Sequence, residues 1–347
     1  MRPWAMFETI LGIPPPEHIP SSQPNPLPLR ILSHNIRYAT SSPFTNERPW
    51  SERLPLIINE LSYNTRFLDG SNPAFSGASF ICLQEVLHIQ LVDILKSLNG
   101  IDPSNKTLVL PGGPTWAHIG VARDDGHTKG EYSPIIYPVR LFKPLHFETV
   151  WLSPTPDKPS KGWDAGSIRI LTVGVFEHKK TGQRLLATCT HLDNVGGKSR
   201  KKSIPIILDT IKRVRDDWVD NQNNLPAVFL AGDFNSFPTD EAYQDLQNSG
   251  VMTDICPLSP QRYGDDITFT GFGPDKDKEE QGRIDFIWLG PKESVGQLNP
   301  HPEYHTLNQN DLPKWKVDGY AVLPNLFEDG VYSSDHRCVV GDVSLYA

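Results

Sequence analysis

Val228-Phe-Leu-Ala-Gly-Asp-Phe-Asn-Ser-Phe-Pro238 is an apolar run that breaks abruptly into polar residues. Val228 to Ala231 predicts a strand buried on both faces, with Pro226 just ahead of it, where a strand start tolerates proline. Gly232 lets the backbone turn with no side chain in the way, so Asp233 and Asn235 emerge at the strand's carboxyl end. Residues two apart share a face, so this carboxylate and this amide point the same way. Polar groups at the end of a buried strand are costly unless they have partners. An Asx-turn serving only its own loop is the alternative reading.

The same pattern recurs elsewhere, which weighs against that alternative. Leu29–Ser33 predicts a strand ending in His34-Asn-Ile-Arg37, which places Asn35 much as Asn235 is placed; a plain Asn turn is again the alternative. Phe80–Glu85 is a buried strand ending in a carboxylate, and Glu is rarely buried unless paired or bound to a metal. Ile168–His178 and Arg184–His191 form a hairpin-like pair around Lys180-Thr-Gly-Gln183, and the second strand runs out in Thr190-His-Leu-Asp193. Arg283–Trp288 carries Asp285 inside an otherwise apolar run, which calls for a histidine or metal partner. Ser334-Asp-His-Arg337 precedes a last strand, Cys338–Leu345.

Between these strands, helices are expected at Trp50–Leu68 (Pro55 in its first turn), Leu87–Leu98, 203–220 with a kink near Pro205, and Thr239–Leu246. Further strands are expected at Trp116–Arg123 and Ser133–Phe142. Phe147–Lys161 reads as a polar, proline-punctuated segment and Asp275–Gly282 as a charged loop. Lys198, Arg200, Lys201 and Lys202 follow the His191 loop, either as a solvated helix face or as a contact to substrate phosphate. No internal repeat or composition break divides the chain: a proline-rich arm over residues 1–28 precedes a single domain over 29–347.

The totals narrow the function. A net charge of −8 argues against a broad, sequence-independent grip on nucleic acid, but not against a compact site for one or two phosphates. No apolar run approaches the roughly 20 residues of a membrane span. Three of the four cysteines, Cys82, Cys189 and Cys338, sit in apolar runs as small hydrophobes. A reducing, cytoplasmic or nuclear setting without disulfides is therefore expected, with secretion left open, and the chain is expected to be a monomer with no obligate protein partner. The Asn105-Lys-Thr107 sequon carries little weight.

Asn35, Glu85, His191, Asp233, Asn235, Asp285, Asp335 and His336 thus lie at or beside strand ends. Hard oxygen ligands and two imidazoles, without a cysteine cluster, favour Mg²⁺ or Mn²⁺ over a structural Zn²⁺. The chain lacks a G-x-x-x-x-G-K-[ST] phosphate loop and a G-x-S-x-G elbow. In order, His34-Asn-Ile-Arg37, Gln84-Glu85, Thr190-His191-Leu, Gly232-Asp233-Phe-Asn235, Arg283-Ile-Asp285 and Ser334-Asp335-His336 resemble the endonuclease/exonuclease/phosphatase superfamily, the deoxyribonuclease I-like proteins. The resemblance spans nearly everything from residue 29 to 345 and lies nearer the deadenylase and nocturnin-like branch than the apurinic endonucleases. It implies an α/β fold: a four-layer sandwich of two mixed sheets packed face to face, with helices outside and the site at one edge.

The resemblance also implies roles. Glu85 is the main metal ligand, with Asn35 and Asp335 in or beside the coordination shell. Asp233 orients or deprotonates the attacking water, and Asn235 helps hold that water or the phosphate. His191 and His336 bond the phosphoryl oxygens, and Asp285 orients His336 and favours its charged form. Arg37, Arg123, Tyr137, Trp163, Asp193 and Lys198 are the candidate substrate contacts; the loops carrying Arg123-Asp-Asp-Gly126, Gly130-Glu-Tyr-Ser-Pro134, Tyr137 and Lys161-Gly-Trp-Asp164 line the mouth or else form ordinary turns. The expected reaction is metal-assisted attack of water on a nucleic-acid or nucleotide phosphodiester. The alternatives are a phosphomonoesterase on a nucleotide, phosphosugar or inositol phosphate, and an inactive binding protein on the same fold.

Overall fold

The computed structural model describes residues 26–65, 78–102, 104, 113–219, 225–273, 281–296 and 314–346. Most of the proline-rich arm, the Asn105 sequon and most of the Asp275–Gly282 loop lie outside these. The described chain runs β1 (Leu27–Asn35), α1 (Trp50–Thr65), β2 (Ala78–Gln84), α2 (His88–Leu98), β3 (Trp116–Ile119), β4 (Ile135–Pro138), β5 (Phe142–Trp151), β6 (Ile170–His178), β7 (Arg184–His191), α3 (Gly197–Asp217) and β8 (Ala227–Asp233). It continues through α4 (Glu241–Asn248), β9 (Thr253–Asp254), β10 (Arg262–Gly264), β11 (Asp285–Gly290), β12 (Val295–Gly296), β13 (Trp315–Val322) and β14 (Val339–Leu345). One mixed sheet has the order β10-β13-β14-β1-β2-β4-β3, with β12 on β13, and the other β5-β6-β7-β8-β11-β9.

Period-two alternation builds the layers. Leu29 and Ile31 of β1, Phe80 of β2, Ala187 of β7, Phe229 of β8 and Ile287 of β11 meet in a core between the sheets. The rings of Phe142, Phe176 and Phe229 stand 4.8–5.5 Å from that of Phe80, and each such buried ring contributes roughly 2–3 kcal/mol by removal from water. The alternate residues face outward: Leu32, Ile81 and Leu83 pack under α1 and α2, and Val228, Leu230 and Phe286 under α3 and α4. Two sheets inside and helices outside are the four layers expected. Among the described residues no helix is long and apolar enough to cross a membrane.

Register positions the polar residues. β7 and β8 run parallel with His191 opposite Asp233, and β11 runs antiparallel to β8 with Asp285 opposite Asp233. On the facing sheet β1 and β2 are parallel with Asn35 opposite Gln84. All of these lie on the alternation that faces the partner sheet, at the same end of the sandwich.

Several boundaries differ from expectation. β1 starts at Leu27, so Pro28 belongs to the strand, near its first residue. β5 reaches Trp151, although residues from Phe147 read as a polar segment; it is an edge strand with a register shift between Pro144 and His146, which tolerates proline and charge. β13 was not anticipated, because a register shift between Val317 and Gly319 breaks its alternation. α3 begins at Gly197, because Asp164, far away in sequence, accepts from the N–H groups of Lys198 and Ser199 and caps the helix. Trp116–Arg123 and Ser133–Phe142 contain only the short strands β3 and β4, with β5 starting at Phe142.

At Gly232 the neighbouring strand comes too close for a side chain: a Cβ there would stand 2.1 Å from the Thr190 carbonyl oxygen. Gly232→Ala is therefore expected to destabilise the fold by about 3 kcal/mol. Urea denaturation measures this, and an unchanged midpoint would show that β7 and β8 part easily at this rung.

Candidate active site

Asp233 is the hub. It is 1% exposed at the end of β8. Its Oδ2 accepts from Asn35 Nδ2 at 2.9 Å and lies 3.5 Å from His191 Nε2 and 3.6 Å from His336 Nε2. Its Oδ1 accepts from the Asn235 backbone N–H at 2.8 Å. The Asn35 amide also donates to Glu85 Oε1 at 3.2 Å, so one amide joins carboxylates from both sheets. His336 Nδ1 pairs with Asp285 Oδ2 at 2.9 Å, and Thr268 Oγ1 anchors the Asp285 N–H. The structure thus brings together Asn35, Glu85, His191, Asp233, Asn235, Asp285 and His336. Asp335 joins them beside His336: Ser334 Oγ donates to Asn35 O at 2.6 Å and lies 3.3 Å from Asp335 Oδ1.

The two histidines are held in opposite states around one carboxylate. Burial, reinforced by the nearby Arg169 and Arg123 charges, pushes His191 well below the usual imidazole range. Asn235 Nδ2 donates to Leu192 O at 3.0 Å and contacts His191 Nε2 at 2.9 Å. His191 Nε2 is therefore an acceptor here, and its proton sits on Nδ1, facing Glu131 Oε2 at 4.0 Å. Burial opposes charge on His336 too, but Asp285 and then Asp233 outweigh it and raise it to about 10. Asp233 itself is lifted to about 7 by burial and by the Asp285 charge, against the pull of His336. In this arrangement His336 is the cationic imidazole and His191 the neutral one.

The acidic residues fit a hard divalent cation. Burial and then the Glu85 charge raise Glu131 to about 7. Burial and Glu85 also raise Asp335, against His336. Glu85 accepts only long bonds, from Asn35 Nδ2 and the Tyr38 N–H, both at 3.2 Å, which leaves lone pairs on each oxygen. Crowded, mutually repelling carboxylates with spare lone pairs are the donor set that Mg²⁺ or Mn²⁺ takes. Asp233, Asp285 and His336 also cluster tightly enough for a metal, but each His336 nitrogen already faces a carboxylate, so these three read as an acid–imidazole relay.

Backbone strain gathers at the same place. Arg37, Glu85 and Asn235 adopt φ of 54°, 58° and 45°; the remaining such non-glycine among the described residues, Asn46 at 66°, lines the cleft beside Asp335. Buried Arg53 holds the turn by donating to the carbonyls of Ile36, Arg37 and Ser333.

The substrate candidates separate. Arg37 stands 3.6 Å from Glu85 and 3.2 Å from Glu47, and Arg123 bonds Glu131 at 2.7 Å, so both border the site. Tyr137 does not line the mouth: it points into the core between the sheets, its ring 4.9 Å from that of Phe176. Asp193 is committed to its loop, accepting from the N–H groups of Gly166, Ser167, Val195 and Gly196 and from Arg169, and these bonds outweigh burial to lower it to about 2. Trp163 is half-buried in the segment that Asp164 ties to α3, and the Lys198 side chain is exposed. Sequence reasoning missed Arg169, whose charge acts on His191 and Glu131, and the cleft residues Phe44 and Phe272; Glu131 was visible only as part of a quoted loop. That cleft, about 330 Å³ beside Asp335, is smaller than one of about 780 Å³ behind α1 that the catalytic carboxylates do not line.

The model of the endonuclease/exonuclease/phosphatase family matches residues 32–336. The chain belongs to this family. No curated protein matches it in sequence. Among solved structures, an endonuclease/exonuclease/phosphatase family protein from Bacteroides thetaiotaomicron is 27% identical, with a TM-score of 0.72 over 93% of this chain and 100% of that one. A mannosyl-6-phosphatase from Bacteroides thetaiotaomicron is 29% identical, with a TM-score of 0.69 over 91% of this chain and 99% of that one. The human nocturnin catalytic domain with bound sulfate is 18% identical (TM-score 0.58, 92% and 94% covered) and shares the fold. As a family member the chain is a phosphoester hydrolase.

Asp193→Ala strands the buried Arg169 charge and the buried Gly196 N–H, and is expected to destabilise the fold by about 3–5 kcal/mol. Denaturant titration tests this; unchanged stability with a raised KM would return Asp193 to the substrate contacts.

Proposed function

We propose that this chain is a divalent-metal-dependent phosphatase acting on a small phosphate monoester, a phosphosugar in the first place. The observation that carries the reading is the cleft of about 330 Å³ beside Asp335, walled by Phe44 and Phe272. Its volume matches one sugar or nucleoside. The net charge of −8 and the 29% identity to a mannosyl-6-phosphatase support the same choice. The phosphodiester expectation becomes the competing outcome.

In this reading Asp233 takes a proton from the attacking water, its carboxyl lifted toward neutrality so that it is a base at working pH. The water oxygen bonds to phosphorus, the ester P–O bond breaks, the leaving alkoxide takes a proton from solvent, and Asp233 returns its proton to solvent. His336, kept cationic by Asp285, donates to the phosphoryl oxygen that gains charge. Asn35 and Asn235 hold Asp233 from two sides. A Mg²⁺ or Mn²⁺ ion held by Glu85, with Asn35 and Asp335 beside it, supplies Lewis-acid polarisation of the phosphoryl group. Arg37 and Arg123 add positive charge at the rim.

Chelator-treated protein is expected to be inactive and to regain activity with Mg²⁺ or Mn²⁺, with higher kcat/KM on sugar phosphates than on nucleotides or aryl phosphodiesters. Asp233→Ala and His336→Ala should each lower kcat by about 10³-fold or more with circular dichroism unchanged. Faster cleavage of diesters would make the chain a diesterase, and near-wild-type turnover in either variant would misplace the site.

A further inference from the structure

On the other face of β1 from Asn35, ligand-type side chains that the reaction does not use come together. His34 lies on the outer side of the sheet, Cys338 just ahead of β14 beside it, and Glu60 reaches in from α1. All three are buried, and their donor atoms lie within 4.8 Å of one another. Glu60 Oε1 stands 3.1 Å from His34 Nδ1, yet His34 Nδ1 and both Glu60 oxygens lack a hydrogen bond. The other ring nitrogen, His34 Nε2, faces the His336 carbonyl at 3.4 Å. A carbonyl only accepts, so the ring proton belongs on Nε2 and Nδ1 turns its lone pair toward the carboxylate. Two acceptors that close repel unless a cation lies between them. The Cys338 thiol lies within hydrogen-bonding reach of the Glu60 carboxylate and makes a long contact, 3.8 Å, to the carbonyl of adjacent Val339.

We propose that His34, Glu60 and Cys338 bind a structural Zn²⁺ ion that clasps α1 to β1 and β14. One nitrogen, one oxygen and one sulfur donor suit Zn²⁺ and not the Mg²⁺ or Mn²⁺ of the carboxylate site. Zinc bonds of about 2.0–2.3 Å place tetrahedral donors roughly 3.3–3.8 Å apart, a small contraction of the present cluster. The Nε2–H contact to His336 O is the outer bond that orients a metal-bound imidazole. Glu60 also lines the cleft of about 780 Å³ behind α1, the path by which the ion and a fourth, solvent ligand would enter. Binding replaces the thiol proton, which leaves to solvent as the Zn–S bond forms. The ion sits directly beneath the segment carrying Asp335 and His336, so it steadies that segment without touching substrate.

Cobalt(II) is the probe. Stripped wild-type protein, refilled in excess Mg²⁺, is expected to show a near-ultraviolet sulfur-to-cobalt charge-transfer band at about one equivalent, and Zn²⁺ should raise its Tm. Glu85→Gln should keep the band; Cys338→Ser and, should that variant not fold, Glu60→Gln should lose it. No band in the wild type would leave the His34–Glu60 contact bridged by a proton and overturn the proposal. So would a band that survives Cys338→Ser or one lost in Glu85→Gln.

Discussion

One amide spans the two sheets at the site. Asn35 Nδ2 donates to Glu85 on its own sheet and to Asp233 on the facing one. It can do so only because β1 and β2 are in register at Asn35 and Gln84, while β7, β8 and β11 align His191, Asp233 and Asp285 in one row. A shift of one residue in any of these strands would turn its polar group to the helix side. The apolar alternation that fills the core and the geometry of the site are therefore one constraint, and the site inherits the rigidity of the sandwich.

Charge is arranged by the same burial. With little water to solvate them, Asp233, Asp335 and Glu131 are all pushed above the usual carboxylate range, and Asp285 settles the balance in favour of a cationic His336. His191, a short distance away, is kept neutral by burial and two guanidiniums. The divalent cation proposed at Glu85 would offset the remaining repulsion among the acids. Left-handed backbone at Arg37, Glu85 and Asn235 is the conformational cost of turning these side chains inward, offset by Arg53 and Asn35 holding the turns.

The central strands were legible because burial on both faces writes itself as an uninterrupted apolar run, and a polar residue that ends such a run has to be explained. Glu85, Asp233 and Asp285 were found that way. Edge and bulged strands carry no such signature, so β5 was read short and β13 was missed. The start of α3 depends on a cap from Asp164, which no local reading of Gly197 reveals. Tyr137 misled because a tyrosine between strands suits a wet rim as well as a core. Asp193 misled because a carboxylate after a catalytic-looking histidine serves a loop equally well. Arg169 and Arg53 stayed hidden because their partners are loop and backbone groups distant in the chain.

In the proposed site, Glu85 and Asp335 of one sheet share a divalent cation next to the Asp233–His336 pair, which joins the two sheets. Diffraction from a Mn²⁺-soaked crystal, collected at the manganese edge, tests it most directly. An anomalous peak in contact with the Glu85 carboxylate, on the side of Asp335 and Asn35, is the expected result. A peak elsewhere, with Glu85 left bare at saturating Mn²⁺, would contradict it.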